Sequence, residues 1–332
     1  MINLPYSVLE LAAVNEGSDA RTAIENAMRV AEIIDKKGFK RIWFAEHHNM
    51  SHIASSATVL LIQRAASRTK NIRVGSGGIM LPNHSPLVVA EQFGTLETLY
   101  PGRIDLGLGR APGTDQLTAN ALRRDHIKNA MNFPNEIAEL QNYFQPENPN
   151  QSVNAYPGKG LNIPFYILGS STSSAMLAAE KGLPYAFATH FAPAQFAVAA
   201  EIYKNEFQPS EYLNEPYMIA CVNAILADTD EEAQHLSTSF FNMVIELVSG
   251  QLRKGLKKPG EIHGLINHPE VETAVNNFVA CTFVGNQKTA EENLKSFIAD
   301  VPVDELMFTT YIYDIEKKLK SFELLAEVFQ KN

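Results

Sequence analysis

The side chains best able to do chemistry fall into a few short clusters. Trp43-Phe44-Ala45-Glu46-His47-His48 sets a carboxylate beside two imidazoles. A histidine exchanges protons near neutral pH, and a neighbouring carboxylate can fix which ring nitrogen carries the proton. Either histidine, oriented by Glu46, is therefore a candidate acid–base residue, although one of the two can equally do no more than hydrogen-bond backbone at a rim. Successive residues of an extended strand point to opposite faces, so His47 and His48 are badly placed to share a metal ion. No Asp or Cys cluster completes such a site, and no metal centre is expected.

Three further clusters suit a flat, phosphorylated ligand. In Val74-Gly75-Ser76-Gly77-Gly78-Ile79-Met80-Leu81-Pro82, glycines interrupt a strand, which signals a bulge, a tight packing layer or the close approach of a ligand. A non-proline cis peptide is a further option there. Gly169-Ser170-Ser171-Thr172-Ser173-Ser174-Ala175 leads from a strand into a helix. Small hydroxyl residues at a helix N-terminus suit an anion, because unpaired N–H groups and the helix dipole both favour negative charge. Arg110, just after Gly107-Leu108-Gly109, can grip phosphate through two parallel hydrogen bonds or sit in a rim salt bridge. His190, in Ala188-Thr189-His190-Phe191, follows another strand and joins His48 as a candidate for a substrate pocket. His126, His235, His263 and His268 lack ligand spacing and read as surface residues.

The elements that position these clusters read as alternating strands and helices. Strands are expected at residues 7–11, 41–45, 72–80, 104–108, 165–168, 185–188, 218–226 and 305–310, the number that a closed (β/α)8 barrel needs. Asp19 caps a helix carrying Ala23, Ala27, Val30, Ala31 and Ile34 on one face, with Gly38 beyond its end. Ser85-Pro86 opens a second, and Pro101-Gly102 stops it. Ser173-Ser174 begins a third, and residues 315–329 close the chain with a fourth. Long insertions follow the fourth and seventh strands. Their polar and basic stretches, 145–159 and 253–268, suit mobile covers, and the loops 111–124 and 253–268 are expected to set specificity. No linker divides the chain, so one domain over residues 1–332 is expected. A doubly wound sheet would need a glycine fingerprint, and Gly107-Leu108-Gly109-Arg110-Ala111-Pro112 carries proline where the third glycine belongs.

Composition narrows the function. A hydrophobic share of 45% and a charged share of 20% over 332 residues fit an ordinary globular enzyme. With 28 basic against 37 acidic residues, net −9, neither nucleic acid nor anionic membrane is an expected partner. Cys221 and Cys281 lie in apolar surroundings and read as small hydrophobes. No secretion-type N-terminus or membrane-length apolar run is present, so a cytoplasmic setting is expected.

Taken in order, these motifs resemble the bacterial luciferase-like monooxygenase superfamily over essentially the whole chain. The resemblance also takes in His84, Pro86, Gly102-Arg103, Gly182-Leu183-Pro184 and Asp304-Glu305-Leu306. Arg110-Ala111-Pro112-Gly113-Thr114-Asp115, Leu168-Gly169-Ser170-Ser171 and Ala188-Thr189-His190-Phe191 are closest to its single-chain, FMN-dependent oxidoreductase branch. The resemblance implies a (β/α)8 TIM barrel, usually dimeric. It also implies a monooxygenase that uses reduced FMN and O2 on a small apolar organic substrate. Within that resemblance His47 matches the catalytic histidine, with Glu46 and His48 beside it. Gly77 and Gly78 match a non-proline cis peptide under the flavin ring, and Arg110, Ser170, Ser171 and Ser174 match phosphate-binding positions. Light-emitting members have a reactive cysteine where this chain has Gly109 and an acidic residue where it has Ser170, so light emission is not expected. Without a nicotinamide fingerprint, reduced FMN is expected from a separate reductase. Two alternatives remain: deazaflavin-dependent hydride transfer within the same superfamily, and a flavin-binding protein without catalysis.

Overall fold

The computed structural model describes residues 2–123, 125–251 and 255–329. Its strands are β1 (Tyr6–Glu10), β2 (Arg41–Phe44), β3 (Arg73–Met80), β4 (Ile104–Gly109), β5 (Phe165–Gly169), β6 (Tyr185–Phe187), β7 (Met218–Leu226), β8 (Thr282–Gly285) and β9 (Glu305–Thr309). The sheet is parallel, and β1 to β7 pair in sequence. β9 then joins β7 to β1 and closes an eight-stranded barrel. The expected (β/α)8 architecture is the observed one. β8 was not expected. It pairs outside the barrel with residues 223–226, where the nine-residue β7 runs on past its contact with β6.

Around the barrel lie α1 (Ala20–Asp35), α2 (Thr58–Arg68), α3 (Pro86–Leu99), α4 (Gln116–Leu122), α5 (His126–Met131) and α6 (Phe133–Phe144). The second half of the chain contributes α7 (Thr172–Lys181), α8 (Phe196–Glu206), α9 (Asp230–Val248), α10 (Pro269–Val279), α11 (Gln287–Asp300) and α12 (Ile315–Phe329). The insertion after β4 holds α4 to α6, and that after β7 holds α9, α10, β8 and α11. Asp19 does cap α1, its carboxylate accepting from the Thr22 N–H at 2.8 Å, and Ala23, Ala27, Val30, Ala31 and Ile34 are all buried. Ser85 precedes Pro86 at the start of α3, but its hydroxyl makes no capping bond.

Strand residues alternate between two cores. Leu9, Leu11, Trp43, Ala45, Tyr166, Ile219 and Met307 fill the barrel, while Val8, Ile42, Phe44, Val74, Leu106 and Phe308 face the helices. The amino-terminal end of the barrel is closed by a buried ionic network. Arg41 donates to Glu305 at 2.9 Å and Asp105 at 2.7 Å, and the Trp43 indole N–H reaches Asp105 at 3.1 Å. Every charge there has a partner, as a buried charge requires. The opposite, carboxyl end of the barrel is left open. No helix among the described residues is long and apolar enough to cross a membrane.

Candidate active site

At the carboxyl ends of the strands lies a cleft of about 450 Å³. The alternation that turns Trp43 and Ala45 inward continues beyond β2, so His47 also lines the cleft. Its Nδ1 lies 3.3 Å from the Gly113 carbonyl. A carbonyl only accepts, so the proton sits on Nδ1 and the Nε2 lone pair is left over. Burial holds the imidazole below its ordinary pKa, outweighing the Gly113 hydrogen bond and the nearby Glu46 charge that pull it up. Gly113 is needed at this point. Its φ is +65°, and a Cβ there would stand 2.7 Å from the Glu46 carbonyl oxygen.

Glu46 and His48 have the opposite parity, and neither lines the cleft. The Glu46 carboxylate lies behind the cleft wall and makes no hydrogen bond to His47. It accepts from His48 Nε2 at 2.9 Å, His84 Nε2 at 2.9 Å, the Met80 N–H at 3.0 Å and Asn83 Nδ2 at 3.2 Å. Burial pushes its carboxyl pKa up, but the His48 and His84 hydrogen bonds prevail and bring it down to about 2. A carboxylate so fully engaged is a tie between the ends of β2 and β3 rather than a proton carrier. His48 lines neither this cleft nor its neighbour, because its ring is spent on Glu46.

The glycines of β3 divide by face. The Gly77–Gly78 peptide is cis, and the register of β3 against β4 shifts between Ser76 and Ile79. Gly77 lines the cleft. Gly78 instead faces β4, where a Cβ would meet the Gly107 carbonyl oxygen at 2.7 Å. Packing explains both glycines, since a Cβ at Gly77 would stand 2.7 Å from Leu9 Cδ1 and 2.9 Å from Trp43 Cβ, and Gly77 also leaves the cleft a surface without a side chain.

Ser170, Ser171, Ser174 and Arg110 all line the cleft. α7 starts at Thr172, one residue before the expected Ser173; Ser171 is its N-cap, and its hydroxyl makes no capping bond. Instead Ser171 Oγ lies 2.9 Å from Ser173 Oγ, and an Arg110 guanidinium N–H donates to Ser173 Oγ at 3.3 Å. Gln195 takes the Thr172 N–H at 3.1 Å, while the Ser173 and Ser174 N–H groups have no acceptor within the helix. Tyr185, which sequence reasoning missed, braces the turn: its hydroxyl lies 2.9 Å from Ser174 Oγ and donates to the Ser171 carbonyl at 3.1 Å. Among the described residues no carboxylate pairs with Arg110, which is exposed. The Ser174 hydroxyl is spent on the Ser171 carbonyl at 2.7 Å, which leaves a guanidinium, the Ser170 and Ser171 hydroxyls and two free N–H groups that could hold a phosphate.

His190 borders the cleft, its Nδ1 buried without a partner, and burial drives its pKa down to about 3. Burial likewise raises the Cys221 thiol, on the cleft floor, well above its ordinary range, and the Cys281 thiol to about 11. Both are therefore inert as nucleophiles near neutral pH. His235 and His268 are exposed, and His263 is half-buried with Nδ1 accepting from the Leu265 N–H. The side chain of His126 lies outside the described residues, as do Arg124 and Arg253, which bounded the expected specificity loops. Of those loops, residues 111–114 line the cleft, and Leu256 reaches the neighbouring cavity. His52 was also missed. It lines that neighbouring cavity, and burial lowers its pKa.

Comparison with known proteins agrees with this architecture. A family model described as luciferase-like monooxygenase matches residues 5–304. The chain is 49% identical to protein YvbT of Bacillus subtilis, covering 98% of this chain and 96% of that one. It is 45% identical to a luciferase-like monooxygenase of Escherichia coli, covering 98% and 97%. Among solved structures, apo-MsnO8 superposes with a TM-score of 0.87 at 31% identity, over 98% of both chains. Two more distant structures share the fold. One is the oxygenating constituent of 3,6-diketocamphane monooxygenase from Pseudomonas putida in complex with FMN (TM-score 0.74, 18% identity, 98% and 97% covered). The other is an F420-dependent secondary alcohol dehydrogenase (TM-score 0.65, 14% identity, 99% and 100% covered).

Proposed function

Because the chain belongs to the luciferase-like monooxygenase family, we propose that it is a monooxygenase that uses reduced FMN and O2 to oxidise a small, largely apolar organic molecule. The observation that carries this reading is one cleft lined both by Arg110, Ser170, Ser171 and Ser174, which suit a phosphate, and by the neutral His47, Trp43 and His190. That donor set suits a flavin mononucleotide. Its phosphate would meet Arg110, and its ring would lie along Gly77, which presents no side chain.

When bound, reduced FMN supplies the two electrons with which O2 is activated. The chain's own work is to bind, orient and manage protons. Arg110 and the α7 terminus fix the phosphate. Leu9, Trp43 and Met307 keep water from the reacting end. His47, neutral and oriented by Gly113, receives a proton at Nε2 and can return it. Glu46 acts at one remove, holding the ends of β2 and β3 so that His47 and Gly77 stay aligned. A separate flavin reductase would deliver reduced FMN, and the working unit would be a homodimer, which sedimentation at micromolar concentration checks.

Titration of the purified protein with FMN and, in parallel, with a deazaflavin, followed by oxygen uptake with reduced FMN, tests the reading. FMN binding and protein-dependent oxygen consumption are expected. Selective binding of the deazaflavin would assign hydride transfer instead, and FMN binding without any turnover would leave a passive flavin carrier.

A further inference from the structure

Beside the cleft lies a second chamber of about 260 Å³. Leu11, His47, His190 and Phe191 line both spaces, so the two adjoin. The insertion after β7 supplies the outer side, with Phe240, Met243 and Leu247 on α9 and Phe278 on α10. We propose that this chamber seats the organic substrate and admits an uncharged molecule built on one or two rings, while rejecting anions of the same shape. The inference rests on the reading of the neighbouring cleft as the flavin site.

Size, surface and charge support it. A cavity of about 150 Å³ already accommodates benzene, so this one holds a substituted ring or a fused pair. Its walls are aromatic: Phe240 stacks on Tyr311 at 5.2 Å, and Phe278 lies 6.5 Å from both Phe191 and Phe240. Such surfaces favour offset or edge-on contact with another ring, and the Met243 thioether adapts to its outline. No Lys, Arg, Asp or Glu lines the chamber among the described residues.

Its titratable groups are His47, His52, His190 and Tyr311. Burial lowers the three histidines and raises the tyrosine, so all four are neutral near pH 7. Asn223 has nothing to spare, since its amide nitrogen donates to the His190 carbonyl and Thr282 Oγ1, and its oxygen accepts from Thr309. A carboxylate or sulfonate entering here would lose its hydration and gain no countercharge from the described residues.

A shape-matched pair of probes tests this: 4-nitrotoluene, which is neutral, and 4-methylbenzoate, its anionic isostere. Binding to the wild-type protein is followed by ligand-observed NMR near pH 7 and about 0.15 M salt, where the net charge is screened beyond about 8 Å. Nitrotoluene is expected to bind at least about tenfold more tightly than the benzoate, and saturating FMN should not displace it. Met243→Trp and Leu247→Trp each fill the chamber from α9. Either should weaken nitrotoluene by about tenfold or more while leaving FMN affinity unchanged. Equal binding of the two probes, binding of neither, displacement by FMN, or indifference to both tryptophan variants would each overturn the inference. Failure of the flavin reading looks different: FMN would not bind, while the preference for the neutral probe and its loss in the tryptophan variants would persist.

Discussion

Arg110→Ala probes the phosphate cradle directly. The guanidinium lies over the α7 terminus, 3.3 Å from Ser173 Oγ, with no carboxylate partner among the described residues, so its removal leaves no acid unpaired. Hydrogen bonds to charged groups contribute about 1.5–3 kcal/mol. Because Arg110 is exposed, water competes for the phosphate and the lower end applies. About 1.5 kcal/mol corresponds to roughly a tenfold loss of FMN affinity. The assay is a titration of wild type and variant with FMN and with riboflavin, which lacks the phosphate. Riboflavin affinity should not change, because without a phosphate riboflavin offers the guanidinium no anion to hold. Arg110→Lys should fall between, since it keeps the charge and loses the two-pronged geometry. An unchanged FMN affinity, or equal losses for FMN and riboflavin, would refute the assignment.

Other consequences follow from the same geometry. His47→Ala should retain FMN binding and slow turnover, by about a hundredfold if proton transfer is its role; steady-state oxygen uptake checks this. Because burial lowers the His47 pKa and its neutral form is the active one, turnover in the wild type should fall on acidification only below pH 6.5, and the variant should lack that limb. The Glu46 carboxyl, held at about 2 against an ordinary 4.5, contributes roughly 3 kcal/mol to stability. That contribution is complete above pH 4.5 and lost as pH falls through about 2, so Glu46→Gln should lower the denaturation midpoint at pH 7 and flatten its acid dependence. In Gly169→Ala the new Cβ would stand 2.0 Å from Ser174 Oγ and 2.3 Å from its Cβ. The start of α7 must then move, and FMN should bind more weakly than to wild type while riboflavin changes less.

The barrel was legible because its strands are buried on both faces and read as apolar runs, and because caps such as Asp19 mark helix starts. β8 escaped notice for a physical reason. Its four residues lie on the overhang of β7, outside the closed barrel, and among α9, α10 and α11 a run that short carries little periodic signal. The inward face of His47 followed from strand alternation, and the same rule turns Glu46 away from it. What alternation does not give is the partner on the far side: His84 lies 38 positions along the chain from Glu46, at the end of β3, and only the fold brings them to 2.9 Å. The serine cluster was readable from its chemistry, whereas the Tyr185 brace is a strand residue indistinguishable from core. The chamber beside the cleft was hidden for a similar reason. Phe240, Met243 and Leu247 fall three and seven residues apart on α9, the spacing of an ordinary buried stripe, and nothing in that spacing tells a wall from a core.

The most direct test of the central claim is the ratio of FMN to riboflavin affinity for the wild-type protein, measured by fluorescence titration at one salt concentration. A cradle of a guanidinium, two hydroxyls and two free N–H groups should favour the phosphorylated ligand by about a hundredfold or more. Equal affinities, or no measurable binding of either flavin, would contradict the account.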